Sequence, residues 1–129
     1  MTTHEEQVAM DGSPATVVRT IGDLQEQGTY KGLPTSFNPA AFRKEPVIVL
    51  RFQCGPIGEV GVNGCAIEDV LEVLMQRLAG FQNGPFRCEE NQAALRCLWD
   101  AKGHLEARTR ARQAQRVEGT NQAHRTEAP

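Results

Sequence analysis

No stretch of the 129 residues approaches the roughly 20 consecutive apolar positions that a bilayer crossing needs, which excludes a membrane-spanning protein. Met1 to Gln7 carry acids and a histidine where a secretory signal would have a basic segment followed by an apolar stretch, so the expected location is the cytoplasm. The four cysteines (Cys54, Cys65, Cys88, Cys97) form no C-x-x-C pair, and His4, His104 and His124 are scattered. Neither set has zinc-site spacing, and the thiols read as reduced and partly buried. A phosphate loop is missing too. Gly55, Gly58, Gly61 and Gly64 are not followed by Lys-Ser or Lys-Thr, and no G-x-G-x-x-G opens a helix, which argues against nucleotide hydrolysis. His104 has no sequence-local cysteine or serine with which to form a dyad, and Glu89-Glu90 fit a helix dipole better than an acid–base pair. The expectation is a binding protein with no catalytic residues, no metal and no cofactor.

What is present is a globular composition, with 40% hydrophobic and 23% charged residues. The net charge of -2 argues against a DNA or RNA binder, because nonspecific nucleic-acid affinity comes from many cationic contacts to phosphates. That balance hides an asymmetry. Arg108, Arg110, Arg112 and Arg116 fall within nine residues, while acids dominate Met1 to Glu26 and Glu59 to Glu72.

Residues 1–14 are polar and without period and read as a leader. Val17, Val18 and Ile21 suit a short strand, ended by Gly22-Asp23, and Gly28 to Pro39 has turn chemistry throughout. The β-branched run Val47 to Phe52 is the best strand in the chain, Val60 and Val62 suit a further short one, and Asn63-Gly64 suits a turn of positive φ. After that the period changes. Ile67, Val70, Leu71, Leu74, Leu78 and Phe81 recur at helical spacing, with Glu68-Asp69 in the first turn. Gln82-Asn83-Gly84-Pro85 stops that helix, and a second runs from about Cys88 to Gln115 on the stripe Asn91, Ala94, Leu95, Leu98, Ala101, Leu105 and Arg108, with Trp99 beside it. The fold class is α+β, with a small β-rich part over 15–66, an antiparallel helical hairpin over 67–116 whose second helix is long, and a polar tail over 117–129.

At 28 residues that helix would measure roughly 42 Å, against a diameter of about 30 Å for about 90 ordered residues. It should overhang its own domain, and an overhanging arm is either frayed or docked on a second copy, of which docking is the favoured reading. Gly103 inside it costs up to about 1 kcal/mol relative to alanine, so either a neighbour comes close there or the helix is locally weak.

The candidate site lies on this hairpin. Phe81 and Phe86 flank the bend, where a ring can stack a base, and Asn91 offers the donor and acceptor that an adenine edge requires. The arginines from Arg108 to Arg116, Arg108 and Arg112 among them, supply forked donors for phosphate. Asn91 and Arg108 are 17 residues apart, roughly 25 Å along one helix, so they meet a single small ligand only if Arg108 comes from an antiparallel neighbour.

The stretches Phe52 to Gly64, Arg77-Leu78-Ala79-Gly80-Phe81-Gln82, Gly84 to Asn91 and Arg108-Thr109-x-x-Arg112, closing with Val117-Glu118-Gly119-Thr120, resemble the phage Thoeris anti-defence nucleotide-sponge family over about residues 47–120. That family shares a helical-hairpin domain with an anti-CBASS sponge family, and its members often carry an erroneous ABC-ATPase label. The resemblance implies a phage protein in the host bacterial cytoplasm that sequesters a cyclic ADP-ribose isomer without cleaving it. It also implies capture of cyclic oligonucleotides by some relatives and assembly as a homo-oligomer, dimer or hexamer. On this resemblance Phe81 stacks the adenine, Asn91 holds the base or ribose, Arg108 reaches the pyrophosphate from a neighbouring chain, and Arg112 is a further phosphate contact. Two positions depart from the pattern: Gln115-Arg116 stands where the family reads Arg-Gly, and Lys102 where it has a leucine. The rival reading is a protein-interaction module that uses the arginine-rich helix as a ligand for a groove.

Overall fold

A computed structural model describes residues 15–27 and 43–115, together with Glu118 and Thr120. The leader, the loop over Gly28 to Pro39, Arg116 and most of the tail lie outside the described residues. The chain divides into two units, one ending at Cys54 and the other beginning at Gly55.

In the first unit, strand β1 (Thr16–Thr20) pairs antiparallel with strand β2 (Pro46–Arg51). Val17 faces Leu50 and Val18 faces Val49, and a bulge between Arg19 and Thr20 brings Thr20 opposite Pro46. Pro46 lacks an N–H, which suits it to the first position of an edge strand. The Phe52 N–H closes the ladder on the Ala15 carbonyl at 2.6 Å, and Ala15 is buried. Val47, Ile48 and Val49 remain exposed.

The chain does not turn into a loop after β1. A helix, α1 (Ile21–Gln27), follows at once, where the sequence reading placed only a strand end. Its start is a reciprocal box: the Asp23 carboxylate accepts the Thr20 N–H at 2.8 Å, and the Thr20 hydroxyl accepts the Asp23 N–H at 3.1 Å. These contacts hold the Asp23 carboxyl below its usual range, the backbone hydrogen bond from Thr20 contributing most. The next two helical donors are satisfied from outside, Ile21 N–H by the Glu45 carbonyl and Gly22 N–H by the Arg43 carbonyl. A side chain at residue 22 would begin 3.1 Å from that Arg43 oxygen, so glycine is there for a close approach.

The second unit opens with a single helical turn, α2 (Ile57–Val60), so Val60 belongs to a helix and Val62 to no strand. Pro56 sets the extended entry, and Gly61 at φ 74° ends the turn. Among the described residues the positive-φ glycines are Gly55 and Gly61 rather than Gly64. Two long helices follow, α3 (Ile67–Gln82) and α4 (Glu89–Ala114), joined by the bend over 83–88 and packed against each other. Asp69 accepts the Ala66 N–H at 2.8 Å and so closes the open end of α3. Cys88 caps α4 through its sulfur, which accepts the Asn91 N–H at 3.4 Å.

Of the stripe expected on α3, Val70, Leu71, Leu78 and Phe81 are half-buried, while Ile67 and Leu74 are exposed and Met75 is added. Met75 is the buried centre, its flexible thioether filling the space beside α4. Glu72 joins the inner face because Lys102 of α4 reaches it at 3.0 Å. That partner raises the Lys102 pKa above its ordinary value, and the ammonium also lies 6.0 Å from the Trp99 ring. A leucine expected at position 102 is thus replaced by a cross-helix ion pair. Among the described residues, nothing beyond the helix's own backbone lies within 4 Å of where a Cβ on Gly103 would stand, so no neighbouring segment among them explains it.

The inward stripe of α4 also runs further than its apolar residues. Leu95, Leu98, Ala101, Lys102 and Leu105 are half-buried, and at the same spacing follow Thr109, half-buried, and Arg112, buried. With 26 residues against 16, α4 still outruns α3 by about 15 Å. Among the described residues, Ala15 and Met75 are the buried apolar positions, while Val73, Leu74 and Trp99 on the hairpin are exposed. Of the four thiols, Cys54 and Cys65 are partly buried as expected, and Cys88 and Cys97 are exposed.

Candidate ligand-binding site

The bend between α3 and α4 is held by hydrogen bonds that the sequence reading did not foresee. Asn83 N–H bonds back to the Ala79 and Gly80 carbonyls and Gly84 N–H to the Phe81 carbonyl, which ends α3. The Gln82 side chain then spans the turn. Its oxygen accepts the Cys88 N–H at 3.0 Å and its nitrogen donates to Gln92 at 3.3 Å, so one amide ties the end of α3 to the start of α4. Asn91 sits on the first turn of α4, where its Nδ2 donates to the Phe86 carbonyl at 3.2 Å. Among the described residues no donor reaches the Asn91 side-chain Oδ1, which can accept.

Two rings meet within this frame. Phe81 and Phe86 pack edge to face, centroids 6.3 Å apart and planes at 88°. Phe81 is half-buried and Phe86 is 72% exposed, so the bend presents aromatic surface to solvent. On the Phe81 ring lies a third group, the Arg77 guanidinium, 4.6 Å from the centroid. Arg77 precedes Phe81 by four residues on one helix, so the two share a face; that spacing was the available signal, and it was missed.

The arginines at the far end of α4 have different surroundings. Arg108 is exposed, with no ion pair among the described residues. Arg112 is buried, its Nε donating to Glu118 at 3.0 Å and a terminal nitrogen to the Thr120 carbonyl at 3.4 Å. The structure therefore brings Phe81, Phe86 and Asn91 together at the bend. It leaves Arg108 and Arg112 well down α4, about 25 Å and more from Asn91 along the axis.

An aromatic pair and an oriented amide at the bend of two packed helices, with Arg108 exposed far along the second and in no ion pair among the described residues, define a helical-hairpin domain. The chain belongs to the Acb2/Tad1 hairpin-domain family, whose family model matches residues 44–114, more than half of its length. The matched segment contains α3, the bend and all of α4. The chain is also similar to a protein of Bacillus phage SBSphiJ7 named Thoeris anti-defense 1, with 41% identity over 73 residues, covering 57% of this chain and 51% of that protein. It spans about half the length of that curated relative.

Proposed function

We propose that this chain is a phage anti-defence protein that binds a cyclic ADP-ribose-type signal inside the host bacterium and withholds it, intact, from a defence effector. The observation that carries the reading is the placement of Phe81 and Asn91 at one bend, each in contact with Phe86, in a hairpin that resembles a Thoeris anti-defence relative. The ring stacks the adenine, and the Asn91 carbonyl oxygen, left over from the bond to Phe86, takes a donor from base or ribose.

Energetics then favour a pocket shared between copies. Withholding a signal at nanomolar concentration takes about 12 kcal/mol, whereas one stack supplies about 1–3 kcal/mol and one charged hydrogen bond about 1.5–3 kcal/mol. Arg108, exposed and unpaired among the described residues, is the group for a neighbour to contribute. An antiparallel copy brings it over the pyrophosphate and also covers exposed apolar residues such as Val73, Leu74 and Trp99. Arg112, engaged by Glu118 and Thr120, acts at the edge of such a pocket by fixing the chain beyond α4 beside the phosphates. Dimeric and hexameric assemblies both satisfy this arrangement. Cyclic oligonucleotides, which combine stackable bases with phosphates, are a second class of ligand for the same protein.

The experiment is a calorimetric titration with cyclic ADP-ribose isomers and cyclic di- and trinucleotides, followed by heat denaturation and mass spectrometry of the released ligand. Recovery of unchanged ligand is expected. A hydrolysed product, or no binding by any member of the panel, overturns the reading.

A further inference from the structure

The guanidinium of Arg77 occupies the place a ligand's base would take on one face of Phe81. Non-bonded carbon atoms pack about 3.5–4.0 Å apart, so a base sandwiched between ring and guanidinium needs about 7 Å, and the 4.6 Å from guanidinium to ring centroid leaves no room for it. A base on that face must lift Arg77 away. Among the described residues no carboxylate pairs with Arg77, so its contact with the ring is an exposed cation–π interaction of the weaker kind. The group is therefore a positive charge held at the stacking position and easily released from it. A nucleotide that stacks there carries its phosphates within a sugar's length of the ring, inside the sweep of an arginine side chain rooted one helical turn earlier.

On the reading that Phe81 stacks the base, we infer that Arg77 is a further ligand-contacting residue, exchanging its contact with the ring for a phosphate of the bound adenine nucleotide. The exchange replaces a weak cation–π contact with a charge-assisted fork on an anion, the stronger of the two interactions. It gives each chain a phosphate donor of its own beside its own ring, in addition to the Arg108 that a neighbour provides. It also makes the site selective, because a nucleoside can claim the ring but has nothing to offer the displaced guanidinium.

The test compares Arg77→Met, which keeps the apolar stem, and Arg77→Lys, which keeps the charge without the fork, with the wild-type chain. Calorimetry with cyclic ADP-ribose at low and high salt, and ligand-observed NMR with adenosine, supply the readouts. For cyclic ADP-ribose, Arg77→Met should weaken binding by about 10- to 100-fold and flatten its salt dependence, with partial recovery in Arg77→Lys. For adenosine it should change little. Equal losses for both probes would mean that Arg77 only orients the ring, and unchanged or tighter binding of cyclic ADP-ribose would mean that it merely covers the ring; either overturns the inference alone. Phe81→Ala, run beside them, separates the two levels, since wild-type affinity in that variant removes the stacking site itself and the inference with it.

Discussion

Gly103→Ala is the substitution for which the structure gives the clearest sign. Residue 103 is interior to α4, eleven residues before its end, and glycine there costs about 1 kcal/mol relative to alanine because of the backbone freedom it loses on folding. Among the described residues a new methyl group at this position meets nothing within 4 Å beyond the helix's own backbone, so no steric term from them opposes the gain. For a chain of this size the full 1 kcal/mol raises the midpoint of thermal unfolding by about 3–6 °C. The assay is a thermal melt followed by circular dichroism at 222 nm, with variant and wild type at matched concentration, repeated over a hundredfold dilution because assembly itself shifts the midpoint. The rise should be the same at every concentration. A midpoint that falls, or a gain that appears only on dilution, would show that another copy packs its backbone against Gly103, and the argument from empty space would be refuted.

If the pocket draws Phe81 from one copy and Arg108 from the next, Phe81→Ala and Arg108→Ala should each abolish retention of cyclic ADP-ribose, while an equimolar mixture reassembled from denaturant should recover about a quarter of the pockets in a two-fold dimer. No recovery, measured by equilibrium dialysis, places both residues in one chain's site. Asp23 has a lowered pKa in the folded state, so its contribution is present above the ordinary carboxylate pKa and is lost as pH falls through the folded value. In Asp23→Asn that acid-side loss should disappear from the pH profile of amide exchange in α1, whereas an unchanged profile would mean the box carries no linkage. Serine is a stronger N-cap than a thiol, so Cys88→Ser should raise stability by about 0.5 kcal/mol in urea melts; a decrease would mean the sulfur does more than accept the Asn91 N–H.

The parts of the fold legible in the sequence were those set by long periodic patterns. The spacing over Ile67 to Phe81 and Cys88 to Gln115 locates α3 and α4 to within a residue or two, and the β-branched run locates β2. Features set by single side-chain contacts were not legible. Helix α1 depends on the Thr20–Asp23 box and on carbonyls from Arg43 and Glu45, far away in sequence, whereas Gly22 and Asp23 alone resemble a strand end. The inward face of α3 also takes in Glu72, which pairs with Lys102, a pairing no hydrophobic count records. Burial of Arg112 was hidden for the same reason: Thr109 and Arg112 continue the α4 stripe in spacing but not in polarity. At the bend, ring and amide were evident from type and position. Gln82 was not, because a half-buried glutamine at a helix end carries no signal until its two partners are seen.

The brace that Gln82 places across the turn makes the bend the fulcrum of a lever. Arg108 stands 19 residues from the start of α4, about 28 Å along the axis, so a swing of about 10° about the turn carries it roughly 5 Å. The same swing barely displaces the Phe81 ring, which sits next to the pivot. Met75 and the Glu72–Lys102 pair brace that lever partway along its arm, so the two ends of the hairpin differ in leverage: any change in the angle between α3 and α4 is felt several times more at Arg108 than at the ring beside the turn.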